Sequence, residues 1–216
     1  MKFGLKGLLA IAAVASALVL SGCGEKQADT SKIKVGVMAG AEAQVAEVAA
    51  KVAKEKYGLD VELVTFTDYV TPNAALDDGS IDINAFQHKP YLDQQVTDRG
   101  YKLTIAGNTF VYPIAGYSKQ VKSVDEIQDG ARIAVPNDPT NLGRSLLLLE
   151  QQGLLKLRDG VGLLATVRDI AENPKNITIV ELDAAQLPRS LDDVALSIIN
   201  TTYACLLYTS DAADDP

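Results

Sequence analysis

The stretch VPNDPTNLGRSLLLLE, Val135 to Glu150, carries the residues best suited to gripping a small charged molecule. Leu146 to Leu149 are strong helix formers, and Asn137, Asp138, Thr140 and Asn141 are all residues that cap helices. Pro136 and Pro139 sit just ahead, where a helix tolerates them. Arg144 therefore falls in or near the first turn. That is an odd place for a cation, because this end of a helix already carries partial positive charge. An anion held between the guanidinium and the free backbone amides would resolve the conflict. A guanidinium grips a carboxylate with two parallel hydrogen bonds. Asn137, Asn141 and Arg144 thus form a candidate anion site. The alternative is an arginine paired with a neighbouring acid such as Asp138.

A second cluster is NAFQHKPYLDQ, Asn84 to Gln94, where Phe86, His88 and Tyr91 bracket a turn at Lys89-Pro90. Aromatics with one imidazole could wall a small, mostly apolar pocket. The alternative is that Phe86 and Tyr91 are core and His88 lies on the surface. Catalysis and metal binding find little support. His88 is the only histidine and the cysteines are Cys23 and Cys205, so a zinc site or a Cys–His nucleophile pair lacks ligands. VGVMAGAE is no phosphate-binding loop. No cofactor is expected. The formal charge of −8, with no block of Lys or Arg, argues against a nucleic-acid partner.

The elements that must position these residues alternate. IKVGVM, Ile33 to Met38, reads as a buried strand, and Ala41 to Tyr57 as a helix with Val45, Val48 and Val52 at helical spacing. Val61 to Phe66 is a strand, Tyr69 to Asp77 a short helix, Ile81 to Phe86 a strand, Pro90 to Arg99 a helix, and Tyr101 to Tyr112 extended. The pattern restarts after Pro113 to Ser118. Ser123 to Glu126 has capping-box spacing. Arg132 to Val135 is a strand, the opening stretch a loop and helix, and Leu163 to Ala171 a helix stopped by Asn173-Pro174. Ile177 to Leu182 is a strand, Ser190 to Asp193 a turn or short helix, and Val194 to Asn200 a strand. Strand–helix alternation predicts an α/β fold of two mostly parallel sheets flanked by helices. Ligands of such sheets collect at the carboxyl ends of strands, where both clusters fall.

The first residues stand apart. Lys2 and Lys6 precede the apolar run Leu8 to Leu20, which is shorter than the roughly 20 residues a spanning helix needs. Ending in small residues, it reads as a signal peptide over residues 1–22. Leu20-Ser21-Gly22-Cys23 looks like a bacterial lipobox, which implies acylation of Cys23 and a polar tether over 23–31. With Cys23 acylated, Cys205 has no partner, and no internal disulfide is expected.

Much of the chain is similar to one family. KVGVMAGAEAQVAEVAAKVAKEKYGLDVELVTFTDYVTPNAAL, DINAFQHKPYLDQQ, GNTFVYPIAGYSK, AVPNDPTNLGRSLLLLE and ENPKNITIVELDAAQLPRSLDD all resemble the NlpA-type methionine-binding lipoproteins of bacterial ABC importers. The resemblance runs from Lys32 to Ala204. It implies a two-lobed periplasmic-binding-protein (type II) fold, with lobe one over 32–115 and lobe two over 116–204. It implies a receptor, not an enzyme, that closes on L-methionine and hands it to a membrane permease driven by an ATPase. Arg144 would grip the carboxylate. Asn141 and Asn200 would bond the polar end, and Tyr69, Phe86, His88 and Tyr91 would line the side-chain pocket. The lipid anchor would hold the protein at the periplasmic face of a membrane, the inner one for access to the permease. After Ala204 the resemblance stops. CLLYTSDAADDP, residues 205–216, reads as a non-native tail, with the family's closing segment missing. The same cleft suits another amino acid or a short peptide, and the fold also hosts lyases.

Overall fold

The computed structural model describes residues 31–110 and 112–211. The expected signal peptide and the acylated Cys23 lie outside the described residues. Contacts divide the chain at Lys32/Ile33, and the fold below is that of the unit from Ile33 onward.

The first sheet is built from β1 (Lys32–Met38), β2 (Asp60–Phe66) and β3 (Ile83–Asn84), in the order β2-β1-β3. β1 and β3 run parallel, with Val35 opposite Ile83 and Gly36 opposite Asn84. α1 (Ala41–Tyr57) joins β1 to β2 and ends at Gly58, whose positive φ closes the helix with bonds to Ala53 and Lys54 carbonyls. α1 keeps the expected bounds but not a buried apolar stripe. Val48 is 66% exposed, and Val45 and Val52 are exposed beside it.

The remaining elements of this half differ from expectation at their edges. α2 (Thr71–Asp77) starts two residues later than Tyr69 because the Asp68 carboxylate takes the Val70 and Thr71 amides and makes a turn first. β3 is shorter than the expected Ile81–Phe86. The Asp82 carboxylate, not a ladder carbonyl, accepts the Lys34 amide, and the chain turns after Ala85 donates to Gly36. α3 (Lys89–Arg99) begins at the predicted turn. Tyr101 to Phe110, expected to be extended, joins no sheet.

The second sheet has the order β4-β9-β5-β8, made by β4 (Ile114–Tyr117), β5 (Arg132–Pro136), β8 (Thr178–Leu182) and β9 (Leu196–Asn200). β5 runs parallel to both β8 and β9, while the edge strand β4 pairs antiparallel with β9, Ile114 opposite Asn200. Ile133, Ala134 and Val135 are fully buried, as a strand covered on both faces requires. α4 (Pro139–Gln151) lays Leu142, Leu146 and Leu149 into the core with Ile133, Val135 and Ile198. Gly143 lets this helix touch a loop: a Cβ there would stand 1.9 Å from the Leu163 carbonyl oxygen.

The expected helix Leu163–Ala171 does not form. Two 3-10 turns, Gly162–Leu164 and Val167–Asp169, replace it, and β6 (Lys156–Leu157) pairs antiparallel with β7 (Ile170–Glu172). A reciprocal capping box between Thr166 and Asp169 tightens the chain there. The capping box expected at Ser123 is absent, because Glu126 reaches the Lys122 amide instead and Ser123 makes no side-chain cap. The turn expected at Ser190–Asp193 is the end of a longer 3-10 helix, Ala184–Asp192.

A second core cluster crosses between the sheets. Met38 from β1 packs with Ala134 from β5, Ile199 from β9, and Leu187 and Leu191 from the 3-10 helix. Tyr203 and Ala204 of α5 (Thr201–Asp211) complete it, with Tyr69 and Phe86 packed alongside. That junction places the ends of β3, β5 and β9 next to one another.

Candidate functional site

The polar half of the site is assembled on the first turns of α4. Asp138 is its N-cap, and the Asp138 carboxylate accepts the Asn141 backbone amide at 3.0 Å and the Thr140 hydroxyl at 3.1 Å. The helix-end amides expected to hold an external anion are thus served in part by the chain's own carboxylate. Arg144 is one turn further on and does not pair with Asp138, as the alternative reading had it. Its Nη1 donates to Asn141 Oδ1 at 2.9 Å and its Nη2 to the Tyr112 carbonyl at 3.2 Å. Both acceptors are neutral. Among the described residues no carboxylate lies within ion-pair distance of Arg144. Burial depresses the guanidinium's pKa, so its charge is desolvated without a counter-charge in contact.

Asn141 is the hub. It is 2% exposed, and its Oδ1 also receives His88 Nε2 at 3.2 Å and Asn200 Nδ2 at 3.0 Å. Its Nδ2 donates to both Asp138 oxygens, at 3.1 and 2.9 Å. Three donors from α3's cap, α4 and β9 therefore meet on one oxygen. Asn200 is 7% exposed, and its Oδ1 is buried with no partner.

His88 joins the polar half to the aromatic half. It caps α3, and its Nδ1 accepts the Tyr91 amide at 3.1 Å, so the ring proton sits on Nε2 and points to Asn141. Burial lowers the imidazole pKa, and the Arg144 charge adds to that against the bond to Asn141. The ring is a neutral donor. Tyr91 meets His88 edge-on at 6.2 Å and Phe86 at 6.1 Å. Tyr69 lies 5.9 Å from Phe86 and 6.1 Å from Tyr91, whose hydroxyl donates to the Tyr69 carbonyl at 2.9 Å. Burial raises the phenol pKa of both tyrosines, which stay neutral.

All seven described candidates, Tyr69, Phe86, His88, Tyr91, Asn141, Arg144 and Asn200, come together. Asn137 stays with the sheet, its amide bonded to Leu182 at 2.8 Å. Four contributors escaped the sequence reading. Tyr203 lies 5.0 Å from Tyr69, its ring tilted by 52°. Glu42, 5% exposed, accepts the Thr202 hydroxyl on Oε1 while Oε2 is buried without a partner, and burial raises its pKa. Asn73, fully buried, anchors Gln87 and Asn84 through side-chain hydrogen bonds of 2.7 to 2.9 Å and so fixes the turn that carries Phe86 and His88. Asp138 was named as one of four possible helix caps and as a partner for Arg144, but not as the acceptor for the Asn141 side chain. Its signal was the Asp-Pro-x-Asn order, a cap followed three residues later by a side chain that can fold back on it.

The arrangement is one of donors, acceptors and rings, and among its described residues no nucleophile is paired with a base. Among the described residues no group of three His, Cys, Asp or Glu is placed to hold a metal ion, and no helix is long and apolar enough to cross a membrane.

Comparison with known proteins identifies the family. The D-methionine-binding lipoprotein MetQ of Escherichia coli is 67% identical over 216 residues, covering 99% of this chain and 80% of the relative. The solved structure of a nutrient binding protein from Burkholderia cenocepacia bound to methionine is 56% identical. It superposes with a TM-score of 0.80 over 82% of this chain and 74% of its own. An ABC transporter periplasmic substrate-binding protein from Coxiella burnetii is 53% identical, with a TM-score of 0.79 over 82% and 74%. These neighbours share the two-lobed α/β architecture. The family model described as NlpA lipoprotein matches residues 33–214, a span that runs past Ala204. With most of its length inside that match, the chain belongs to the NlpA lipoprotein family.

Proposed function

We propose that this chain is the receptor of a bacterial ABC importer, binding free methionine between its two lobes for delivery to a permease driven by an ATPase. It is a binding protein and not an enzyme. The observation that carries the reading is the uncompensated guanidinium of Arg144, converging with His88 and Asn200 beside a wall of three aromatic rings. The cationic end suits an α-carboxylate, and the aromatic edges suit a soft thioether. The relatives named above as methionine binders support the same assignment. In this reading Tyr69, Phe86 and Tyr91 line the side-chain pocket, Arg144 and His88 take the carboxylate, and Asn141 and Asn200 take the rest of the polar end. Cys23 carries the lipid, and the body works at the periplasmic face of the inner membrane.

Calorimetric titration of the unacylated protein with L-methionine, D-methionine, norleucine and a methionine dipeptide tests the ligand. Saturable binding of methionine above norleucine and the dipeptide is the expected result. Tighter binding of another amino acid or of the peptide would overturn it. The hand of the ligand is part of the test, because the resemblance implies L-methionine while the Escherichia coli relative is named for D-methionine. Mass spectrometry of membrane-extracted protein tests the anchor: acylation is expected on Cys23 and lost in C23S.

A further inference from the structure

We infer that Asn73 and Gln87 are positioning residues that set the spacing of the aromatic rings, and with it the preference for a methionine side chain over its one-carbon-longer homologue. The inference rests on the methionine reading above and adds to it what limits the size of the side chain admitted.

The rings of that pocket ride on separate pieces of chain. Tyr69 belongs to the frame of α2, because the Asp68 carboxylate ties the Val70 and Thr71 amides, at 2.8 Å each, into the start of that helix. Phe86 rides on the turn after β3. Among the described residues the last main-chain bond from that turn to the sheet is the Ala85 amide to the Gly36 carbonyl, at 2.9 Å. Contacts between rings tolerate sliding, because each is weak and spread over many atoms. The turn is tied to α2 by an amide network instead. Asn73 Nδ2 donates to Gln87 Oε1 at 2.8 Å, and Gln87 Nε2 donates back to Asn73 Oδ1 at 2.7 Å. Asn84 Nδ2 adds bonds to Asn73 Oδ1 at 2.9 Å and to the Pro72 carbonyl at 3.2 Å, and Asn84 Oδ1 accepts Gln87 Nε2 at 3.2 Å. A reciprocal amide pair fixes both partners, since turning either one over sets donor against donor. Asn73 is fully buried, so water does not replace a lost partner. Gln87 lies between Phe86 and His88 in the chain, and holding its side chain holds both neighbours. The Tyr69–Phe86 distance of 5.9 Å is thus set by directed bonds that touch neither ring. Cutting them frees the turn to move away from α2 and lets the rings part. A pocket that can widen no longer rejects a longer side chain.

Asn73→Leu combined with Gln87→Met is the test. Both substitutes match the originals in length, and replacing two bonded partners together by apolar groups of the same shape costs little stability. The fold is kept while the directed bonds go. Calorimetry on the full chain compares methionine with ethionine of the same hand, its S-ethyl homologue. The two ligands share their polar end, so any general loss of binding cancels in the ratio of their affinities. The unmodified chain is expected to prefer methionine by about tenfold or more, the scale of one methylene in a fitted pocket, and N73L/Q87M to bring that preference within about threefold. Equal losses for both ligands in N73L/Q87M, an unchanged ratio, or an unmodified chain that binds both alike would overturn the assignment and reduce the amide pair to support of the fold. An unmodified chain that binds neither ligand would overturn the methionine reading itself, and this inference with it. If N73L/Q87M fails to melt cooperatively, Q87M alone, at a half-buried position, takes its place with the same outcomes.

Discussion

The two halves of the site hold their side chains by different means. Around α4 each polar group is aimed by hydrogen bonds of stated direction: Asn141 donates to Asp138, Arg144 to Asn141, and Asn200 to Asn141. Around α2 and α3 the rings of Tyr69, Phe86 and Tyr91 are held mainly by one another, at 5.9 to 6.1 Å, with the Tyr91 hydroxyl donating to the Tyr69 carbonyl. Directed bonds discriminate sharply, because a misplaced donor or acceptor is left buried and unpaired. Ring packing grades its partners gently, because dispersion falls off over many weak contacts. The first half should therefore set whether an amino acid binds, and the second which one.

Removing the guanidinium should produce the largest separation between the halves. Arg144→Ala is expected to weaken methionine about 100-fold or more, the scale of two charge-assisted bonds plus an unpaired carboxylate. The same change should leave the melting temperature level or raise it, because the desolvated cation has no counter-charge in contact. Calorimetry and a thermal melt on one sample check both. A loss below threefold would break the division of labour proposed for the two halves.

Next comes a contrast in backbone fit. Gly143→Ala would drive a Cβ into the Leu163 carbonyl, a backbone atom that can move only with its loop. Gly36→Ala, in the first sheet, meets only side-chain tips, Ile81 Cδ1 at 2.6 Å and Phe66 Cε2 at 2.9 Å. The first should cost about 1–3 kcal/mol or more of stability, in the range of overpacked cores, and the second less. Chemical denaturation of the two variants measures the difference, and an equal cost would show that the loop at Leu163 yields as easily as a side chain.

A smaller effect belongs to the aromatic wall. Phe86→Leu keeps an apolar side chain but removes a ring edge. Sulfur–aromatic contacts contribute about 0.3–1.5 kcal/mol, so preference for methionine over norleucine should fall by no more than about tenfold. Absolute affinity should fall far less than in Arg144→Ala. A variant that lost methionine and norleucine equally would show that Phe86 supports the fold and not the selectivity.

How much of this was legible in the sequence follows the same division. β1, α1, β5, α4 and β8 show themselves because apolar periodicity and the Gly58 and Asp-Pro punctuation act locally. The region Leu163–Ala171 misled because its apolar spacing is helical, while the structure spends it on the Thr166–Asp169 capping box and a short hairpin to Lys156. Arg144 and His88 could be singled out by type and place. The bond from His88 to Asn141 spans 53 residues and that from Asn200 to Asn141 spans 59, and no local pattern encodes either. Thr202 and Glu42 are 160 residues apart. Their pairing, and the orphaned Oε2 it leaves, depends on where α1 and α5 meet.

Two buried titratable groups give the smallest and most diagnostic effect, because their signs oppose. His88 has a folded pKa below its ordinary 6.5, burial being the main cause. Between the two values the unfolded chain binds the proton and the native one does not, so stability rises with pH and is lost on acidification through about 6.5. Protonation would also forfeit the bond that Nδ1 accepts from the Tyr91 amide. Glu42 has a folded pKa above its ordinary 4.5, again mainly through burial and against the Thr202 bond. Above 4.5 the native chain binds the proton more tightly, so stability falls as pH rises through that window. H88N should therefore flatten the loss on mild acidification, and E42Q should remove the gain at lower pH. The two changes should add, since they act on different ends of the site. Melting temperatures across the acid range for both variants and the double mutant measure it. If H88N left the acid limb of the curve unchanged, the imidazole would titrate alike in the native and unfolded chains, and burial would not be what holds it neutral.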